Sequence, residues 1–281
     1  ASGEPVRVAL VQGSISQDRK WLPEQRRPTM RRYEELTFSQ RDAELVIWPE
    51  VAIPAMRYQV DAWLDALNER TRRAGISLLL GILVDDFDND QFYNSLISSG
   101  EAEGVYHKRH LVPFGEFFPV PPFIRNWMRL MSLPYRDTAH GERDQPPLRA
   151  AGLVLAPSIC YEDSYGSEQR DFLPEANVLV NVSNDAWFGD SIAPHQHLQI
   201  ARMRALETGR YMLRTTNTGI TAIIDSGGRV RATVPQFEAR VLRGEVVPHD
   251  GATPFIRFGN TPVVLLSLVL PALLLMRARR R

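Results

Sequence analysis

The chemistry open to this sequence starts from its one cysteine. Cys160 closes an apolar segment in Ala156-Pro157-Ser158-Ile159-Cys160-Tyr161-Glu162-Asp163. Strand ends that open into loops are where α/β sheets present groups to a ligand, so a thiol there is placed to act as a nucleophile. A lone cysteine is more often a small buried hydrophobe. The acids beside it, Glu162 and Asp163, raise a thiol pKa rather than lower it. A reactive Cys160 therefore needs a cation and a base from elsewhere in the chain. The same count excludes an intrachain disulfide and a cysteine-based zinc cluster.

Two other strand ends offer those groups. Glu50 follows a hydrophobic run in Trp48-Pro49-Glu50-Val51-Ala52-Ile53-Pro54, held between prolines as a general base must be held. Taken alone it is an acidic loop residue on the surface. Lys108 follows the segment 104–107, and lysine occurs only at Lys20 and Lys108 among thirty-three cationic residues. A chain that otherwise uses arginine and keeps an ammonium at a strand tip has a use for a compact point charge, although a surface lysine is the plainer reading. Together the three tips supply a nucleophile, a proton acceptor and a cation for a thiolate or oxyanion. That is the equipment of acyl transfer through a thioester.

Other candidates read more blandly. His195 and His197 stand two apart, too close for one helical face and with no acidic residue beside them, which points to helix-start packing rather than metal binding. The arginines of 201–210 read as a solvated or sheet-capping face. Thirty-three basic residues balance thirty-three acidic ones, so no overall field favours nucleic acid. No metal and no cofactor is expected.

Residues 6–11 (VRVALV), 44–48 (ELVIW) and 77–84 (SLLLGILV) read as strands, and 30–38 and 60–73 carry a helical period. Segments 93–98 and 104–107 pair across Ser99-Gly100-Glu101. Further on, 153–159 and 177–182 read as strands, 164–173 as a polar helix and 195–210 as a longer one. Strands at 211–216, 219–224 and 229–234 close the series, the last two around Asp225-Ser226-Gly227-Gly228. Strands alternating with helices, with late hairpins, imply an α/β layered domain with a mixed sheet over residues 1–254 and no internal repeat.

Residues 111–150 break the alternation. They hold seven prolines with Phe114, Phe117, Phe118, Phe123, Trp127 and Met128. So long a loop, rich in aromatics, reads as a lid or membrane-interface arm, with Phe117, Phe118 and Trp127 as apolar contacts for a substrate. A loop folded on its own small cluster is the simpler alternative. Arg125, Arg129 and Arg136 would serve phosphate or headgroup contact. The start at Ala1 reads as a processed or excised end rather than a signal peptide. Residues 258–276 are uncharged, just long enough for a membrane helix with a kink at Pro271. The arginine-rich residues 277–281 read as a cytoplasmic anchor, with the rest of the chain on the far side.

Trp48-Pro49-Glu50, His107-Lys108 and Ile159-Cys160-Tyr161-Glu162 resemble, in chain order, the Glu-Lys-Cys triad motifs of the nitrilase (carbon–nitrogen hydrolase) superfamily. The block Asn181-Val182-Ser183-Asn184-Asp185-Ala186-Trp187-Phe188-Gly189 is similar to the loop after the nucleophile in those enzymes. Within the superfamily, the run from His110 to Pro119 and the residues Ala193-Pro194-His195-Gln196-His197 resemble the bacterial apolipoprotein N-acyltransferases.

That resemblance implies an αββα sandwich with a C-terminal transmembrane helix, in the bacterial inner membrane with the catalytic domain on the periplasmic side. It implies Glu50 as base, Lys108 as oxyanion stabiliser and Cys160 as nucleophile. Glu116 would orient or balance Lys108, Tyr161 and Glu162 would flank the nucleophile, and Trp21 would lie near the acyl site. The partners implied are a phospholipid acyl donor, a diacylglyceryl-cysteine apolipoprotein acceptor and the membrane. Upstream membrane helices typical of the family lie outside this sequence, so the chain is expected to be the catalytic portion with its last anchor. A hydrolase of the amidase or nitrilase type, using the same triad with water as acceptor, is the alternative. A catalytically silent envelope scaffold is the third reading, which the complete triad opposes.

Overall fold

The computed structural model describes residues 1–40, 42–117 and 138–279. Among them, twelve strands form two mixed sheets of six. The first half of the chain gives β1 (Val6–Gln12), β2 (Leu45–Ile47), β3 (Ser77–Asp86), β4 (Gln91–Gly100) and β5 (Val105–His107). The second gives β6 (Leu148–Ala150), β7 (Leu153–Ile159), β8 (Val178–Ser183), β9 (Tyr211–Thr216), β10 (Thr221–Ile224) and β11 (Val230–Val234). The chain then returns to the first sheet as β12 (Arg240–Val246).

The sheets run β12-β1-β2-β3-β4-β5 and β6-β7-β8-β9-β10-β11. Both follow the same pattern of pairing: antiparallel, parallel, parallel, antiparallel, antiparallel. No repeat is visible in the sequence, yet the topology is repeated. The reading also omitted β6 and β12. It ended β3 at Val84, whereas β3 and β4 continue as one long hairpin paired from Ser77↔Gly100 to Asp86↔Gln91.

Period-two alternation decides which way each central strand faces. Val8 and Leu10 of β1, Leu45 and Ile47 of β2 and Leu79 of β3 enter the core shared with the second sheet. Their neighbours Ala9, Val11, Val46, Leu78 and Leu80 pack outward with Met30, Tyr33 and Leu67. Those three belong to the helices Pro23–Phe38 and Asp61–Arg73. The first helix begins seven residues before the period suggests, because Pro23 suits a first helical position. On the other sheet, Ala201 and Ala205 of the helix Ala193–Thr208 join the core. That helix stops at Gly209, whose φ of +64° only glycine adopts freely. The segment 164–173 is several short turns, Cys160–Ser164, Gly166–Gln169 and Arg170–Phe172, rather than one helix. These layers form the α/β sandwich expected.

The chain leaves the domain through a fastened strap. Arg210 is buried and donates to the carbonyls of Ala176, Asp250 and Gly251. Thr253 donates to the Glu207 carbonyl at 2.6 Å, and Arg170 Nε to that of Ile256 at 3.1 Å. Among the arginines of 201–210, Arg210 is thus an internal anchor rather than part of a solvated face. After Gly259 and Asn260 comes the helix Thr261–Arg279. Its window Thr261–Ala278 has a mean hydropathy of 2.0, and none of it is buried against the protein.

Candidate active site

Three strand ends meet at one place. β2 is followed by Trp48, which is fully buried, packs against Tyr33 at 5.0 Å between ring centroids, and donates to Thr37 at 2.8 Å. Two residues on, the backbone at Pro49 and Glu50 lies directly against β3. A Cβ on Gly81 would collide with the Pro49 carbonyl oxygen and crowd Glu50 Cα, so glycine is required there. The tip is therefore rigid, and the Glu50 carboxylate is buried. Oε2 accepts from the Asn184 backbone N–H at 2.9 Å, and Oε1 from Asn94 Nδ2 at 2.8 Å and Lys108 Nζ at 3.3 Å.

Lys108 follows β5 and is 1% exposed. Its Nζ also reaches Glu116 Oε1 at 2.8 Å and lies 5.9 Å from the centre of the Tyr161 ring. Burial alone would strip its proton, but Glu50, Cys160 and Glu116 outweigh burial and hold Lys108 firmly protonated. Glu116 is fixed in turn, because Oε2 accepts from the Val112 N–H at 2.8 Å. Asn94 ties the cluster together: its Nδ2 touches both Glu50 and Glu116, and its backbone carbonyl accepts from the Lys108 N–H at 2.8 Å.

Cys160 begins the turn after β7 with φ +56°, a strained left-handed conformation for a non-glycine residue. Such a turn leaves its first N–H groups without intrahelical acceptors and open to a developing oxyanion. Burial and then Glu50 push the thiol up, with Lys108 partly opposing them. At neutral pH the resting sulfur is a thiol that needs a base. Glu162 does not act on the sulfur as its position beside it suggested. Its Oε1 accepts from the N–H groups of Arg109 (2.6 Å) and His110 (3.0 Å), and its Oε2 from Ile159 N–H (2.7 Å) and Tyr106 OH (3.0 Å). It staples the Lys108 segment to the Cys160 turn. Tyr161 adds a second tie, donating to the Leu111 carbonyl at 2.8 Å.

The histidine pair separates. His195 is exposed, whereas His197 is buried and does have acidic partners, which corrects the sequence reading. Its Nδ1 bonds Asp185 at 3.1 Å; its Nε2 bonds Asp163 at 3.0 Å and the Cys160 carbonyl at 3.2 Å. Arg214 Nη2 meets Asp185 at 2.7 Å, completing a buried set of two cations and two carboxylates under the nucleophile. Burial and Arg214 push His197 down, but Asp163 and Asp185 prevail and raise it to about 9. Asp185 is held well below the usual carboxylate range by Arg214 and His197 despite its burial. No group of three His, Cys, Asp or Glu side chains suited to a metal ion occurs among the described residues.

Of the other expected contacts, Trp21 is 51% exposed and Phe117 packs edge-on against His140 at 5.6 Å. Phe118 and Trp127, with half of the expected lid, lie outside the described residues. Asn94, Lys20 and the His197 set were missed as site residues; lysine scarcity was the one signal that could have found Lys20. Thiol, carboxylate and ammonium in a single electrostatic neighbourhood make covalent acyl chemistry available.

The family model for carbon–nitrogen hydrolases matches residues 7–252. The chain is 47% identical over 280 residues to an apolipoprotein N-acyltransferase of Methylococcus capsulatus, covering 99% of this chain and 56% of that protein. It is 41% identical over 273 residues to one of Pseudomonas aeruginosa, covering 96% and 53%. The chain thus spans about half the length of these curated relatives. An amidase structure from Nesterenkonia sp. superposes with a TM-score of 0.64 at 18% identity, over 94% of this chain and 96% of that one. A CN-hydrolase superfamily protein from Xanthomonas campestris gives 0.62 at 17% identity, over 87% and 91%. At those identities the likeness concerns the fold.

Proposed function

The chain belongs to the carbon–nitrogen hydrolase family, and from that membership we propose that it is the catalytic part of an apolipoprotein N-acyltransferase. It takes an acyl chain from a phospholipid, holds it on Cys160 as a thioester, and passes it to the N-terminal amine of a diacylglyceryl-cysteine apolipoprotein. The reading rests above all on the buried Glu50–Lys108–Glu116 cluster beside Cys160.

In the first half-reaction Glu50 takes the Cys160 proton and the sulfur attacks the ester carbonyl carbon. Negative charge moves to the carbonyl oxygen, opposite Lys108 and a backbone N–H. The ester C–O bond breaks, and the proton on Glu50 goes to the departing lysophospholipid hydroxyl. In the second, the acceptor amine attacks the thioester, Glu50 takes the amine proton, and the C–S bond breaks as the sulfur recovers a proton. Lys108 keeps its proton throughout, since an ammonium facing two carboxylates acts as a fixed charge.

The lipid assignment draws on the relatives' names and on exposed apolar side chains near the cluster. Trp21 adjoins Lys20, which touches Glu50, and Trp187, 76% exposed, with Phe188 follows Asn184. We place the helix Thr261–Arg279 across the inner membrane, its terminal arginines in the cytoplasm and the catalytic domain in the periplasm. Intact mass spectrometry after incubation with phosphatidylethanolamine vesicles tests the reading. An acyl mass on Cys160 that persists until an amine acceptor is added supports it, and Cys160→Ser should carry none. An adduct lost to water as fast as it forms would mean the amidase-type hydrolase instead, and an acylated Cys160→Ser would remove Cys160 as the carrier.

A further inference from the structure

The carbonyl oxygen of the nucleophile is gripped by two side chains from different elements. Asn181 Nδ2, on β8, donates to it at 2.9 Å, and His197 Nε2, on the helix Ala193–Thr208, lies 3.2 Å from it. Each donor is fixed in turn. Asn181 Oδ1 accepts from Arg214 Nη1 at 2.6 Å, and its Nδ2 also donates to Ser158 Oγ at 3.1 Å. His197 bridges Asp185 through Nδ1 and Asp163 through Nε2. Carboxylates accept and do not donate, so a ring set between two of them carries a proton on each nitrogen, and Nε2 is a charged donor.

The Cys160 oxygen is one end of a rigid plane. In a trans peptide the C=O and the next N–H point in opposite directions, and the bond from Cys160 to Tyr161 is trans. Whatever fixes the Cys160 oxygen therefore fixes the direction of the Tyr161 N–H. With the oxygen drawn towards Asn181 and His197, that N–H is turned to the opposite face of the turn. Tyr161 is the second residue of the turn Cys160–Ser164, where N–H groups precede any intrahelical acceptor. A strained φ such as the +56° of Cys160 persists only where the surroundings over-determine it, and two donors on one carbonyl do so.

We propose that His197 and Asn181 are positioning residues of the reaction centre: by clamping the Cys160 carbonyl they aim the Tyr161 N–H at the oxygen on which negative charge develops during acyl transfer. The inference rests on the acyl-transfer reading above, and it gives the buried charged set a task beyond folding.

Two reactions of the same sulfur separate aim from fold. A soluble p-nitrophenyl ester acylates Cys160 through an oxyanion: the sulfur bonds the carbonyl carbon, the ester C–O bond breaks and p-nitrophenolate leaves. Iodoacetamide alkylates the same sulfur by direct displacement of iodide, with no oxyanion. Both need the sulfur to lose its proton, so the ratio of acylation to alkylation rates cancels changes in thiol ionisation and in the folded fraction. The ratio is followed by intact mass on Cys160 in the full chain at pH 7. His197→Asn keeps an amide near Nδ1 for Asp185 but has no atom at Nε2, and should lower the ratio roughly tenfold or more. Asn181→Asp keeps the acceptor for Arg214 but loses the donor to Cys160; it should lower the ratio as well, and serves equally if the first variant does not fold. A wild-type ratio in either variant, whether both rates fall together or neither falls, overturns the inference alone. A wild-type protein that is alkylated at Cys160 yet forms no thioester overturns the acyl-transfer reading, and the inference with it.

Discussion

The charged set beneath Cys160 makes a pH-dependent stability measurable. His197 binds a proton with a pKa of about 9 in the folded protein, against an ordinary 6.5 in an unfolded chain. At ~1.4 kcal/mol for each pH unit, that amounts to about 3 kcal/mol. Because the folded value is the higher one, this stability is fully present below about 6.5 and is lost as pH rises through about 9. His197→Gln keeps a donor for Asp163 but no charge, leaving two buried carboxylates to share Arg214. At pH 6.5 the variant should melt about 6–12 °C below wild type, at ~2–4 °C per kcal/mol for a domain of this size. By pH 10 most of that gap should have closed. Thermal melts of both proteins in the same detergent, compared as a difference, cancel the opposite trend from Lys20, whose depressed pKa makes folding easier as pH rises. A gap that stays constant from pH 6.5 to 10 would refute a charged His197.

Other perturbations follow from the same geometry. Lys108→Arg should cut thioester formation at least a hundredfold, since a planar fork does not fit where a buried point charge bridges Glu50 and Glu116; near-normal turnover by intact mass would remove its role. Glu162→Gln removes the acceptor of at least one buried backbone N–H, costing about 1.5–3 kcal/mol, and should weaken the tie between the Lys108 segment and the Cys160 turn; an unchanged melting temperature would contradict the staple. Gly81→Ala forces a methyl group into the Glu50 tip and should lower acylation with about 1–3 kcal/mol of destabilisation; a variant as active as wild type would mean the tip is not held there.

What the sequence disclosed was local. Runs such as 77–84 announce buried strands, and residue types at three strand ends announced a thiol, a base and a cation. Features built from distant partners stayed hidden. His197 lies 34 residues from Asp163, so its neighbours in the chain say nothing of its charge. β12 turns Leu242 and Val246 inward and Arg243 and Glu245 outward, but Gly244 interrupts its short apolar face, and its partner β1 lies at the other end of the chain. Glu162 misled because adjacency to Cys160 implied an effect on sulfur, whereas four donors turn it towards the Lys108 segment. Asn94 sits in an ordinary strand, and only folding brings it between two acids.

The strap at 250–257 bears on how far the enzyme can reach. Only Phe258, Gly259 and Asn260 separate that fastened segment from the apolar helix. Under the membrane placement proposed above, so short a leash would hold the domain close to the lipid headgroups, and a lipid substrate would reach it by lateral diffusion. A long, slack tether would instead let the domain wander into the aqueous space, where an acyl-thioester meets mostly water.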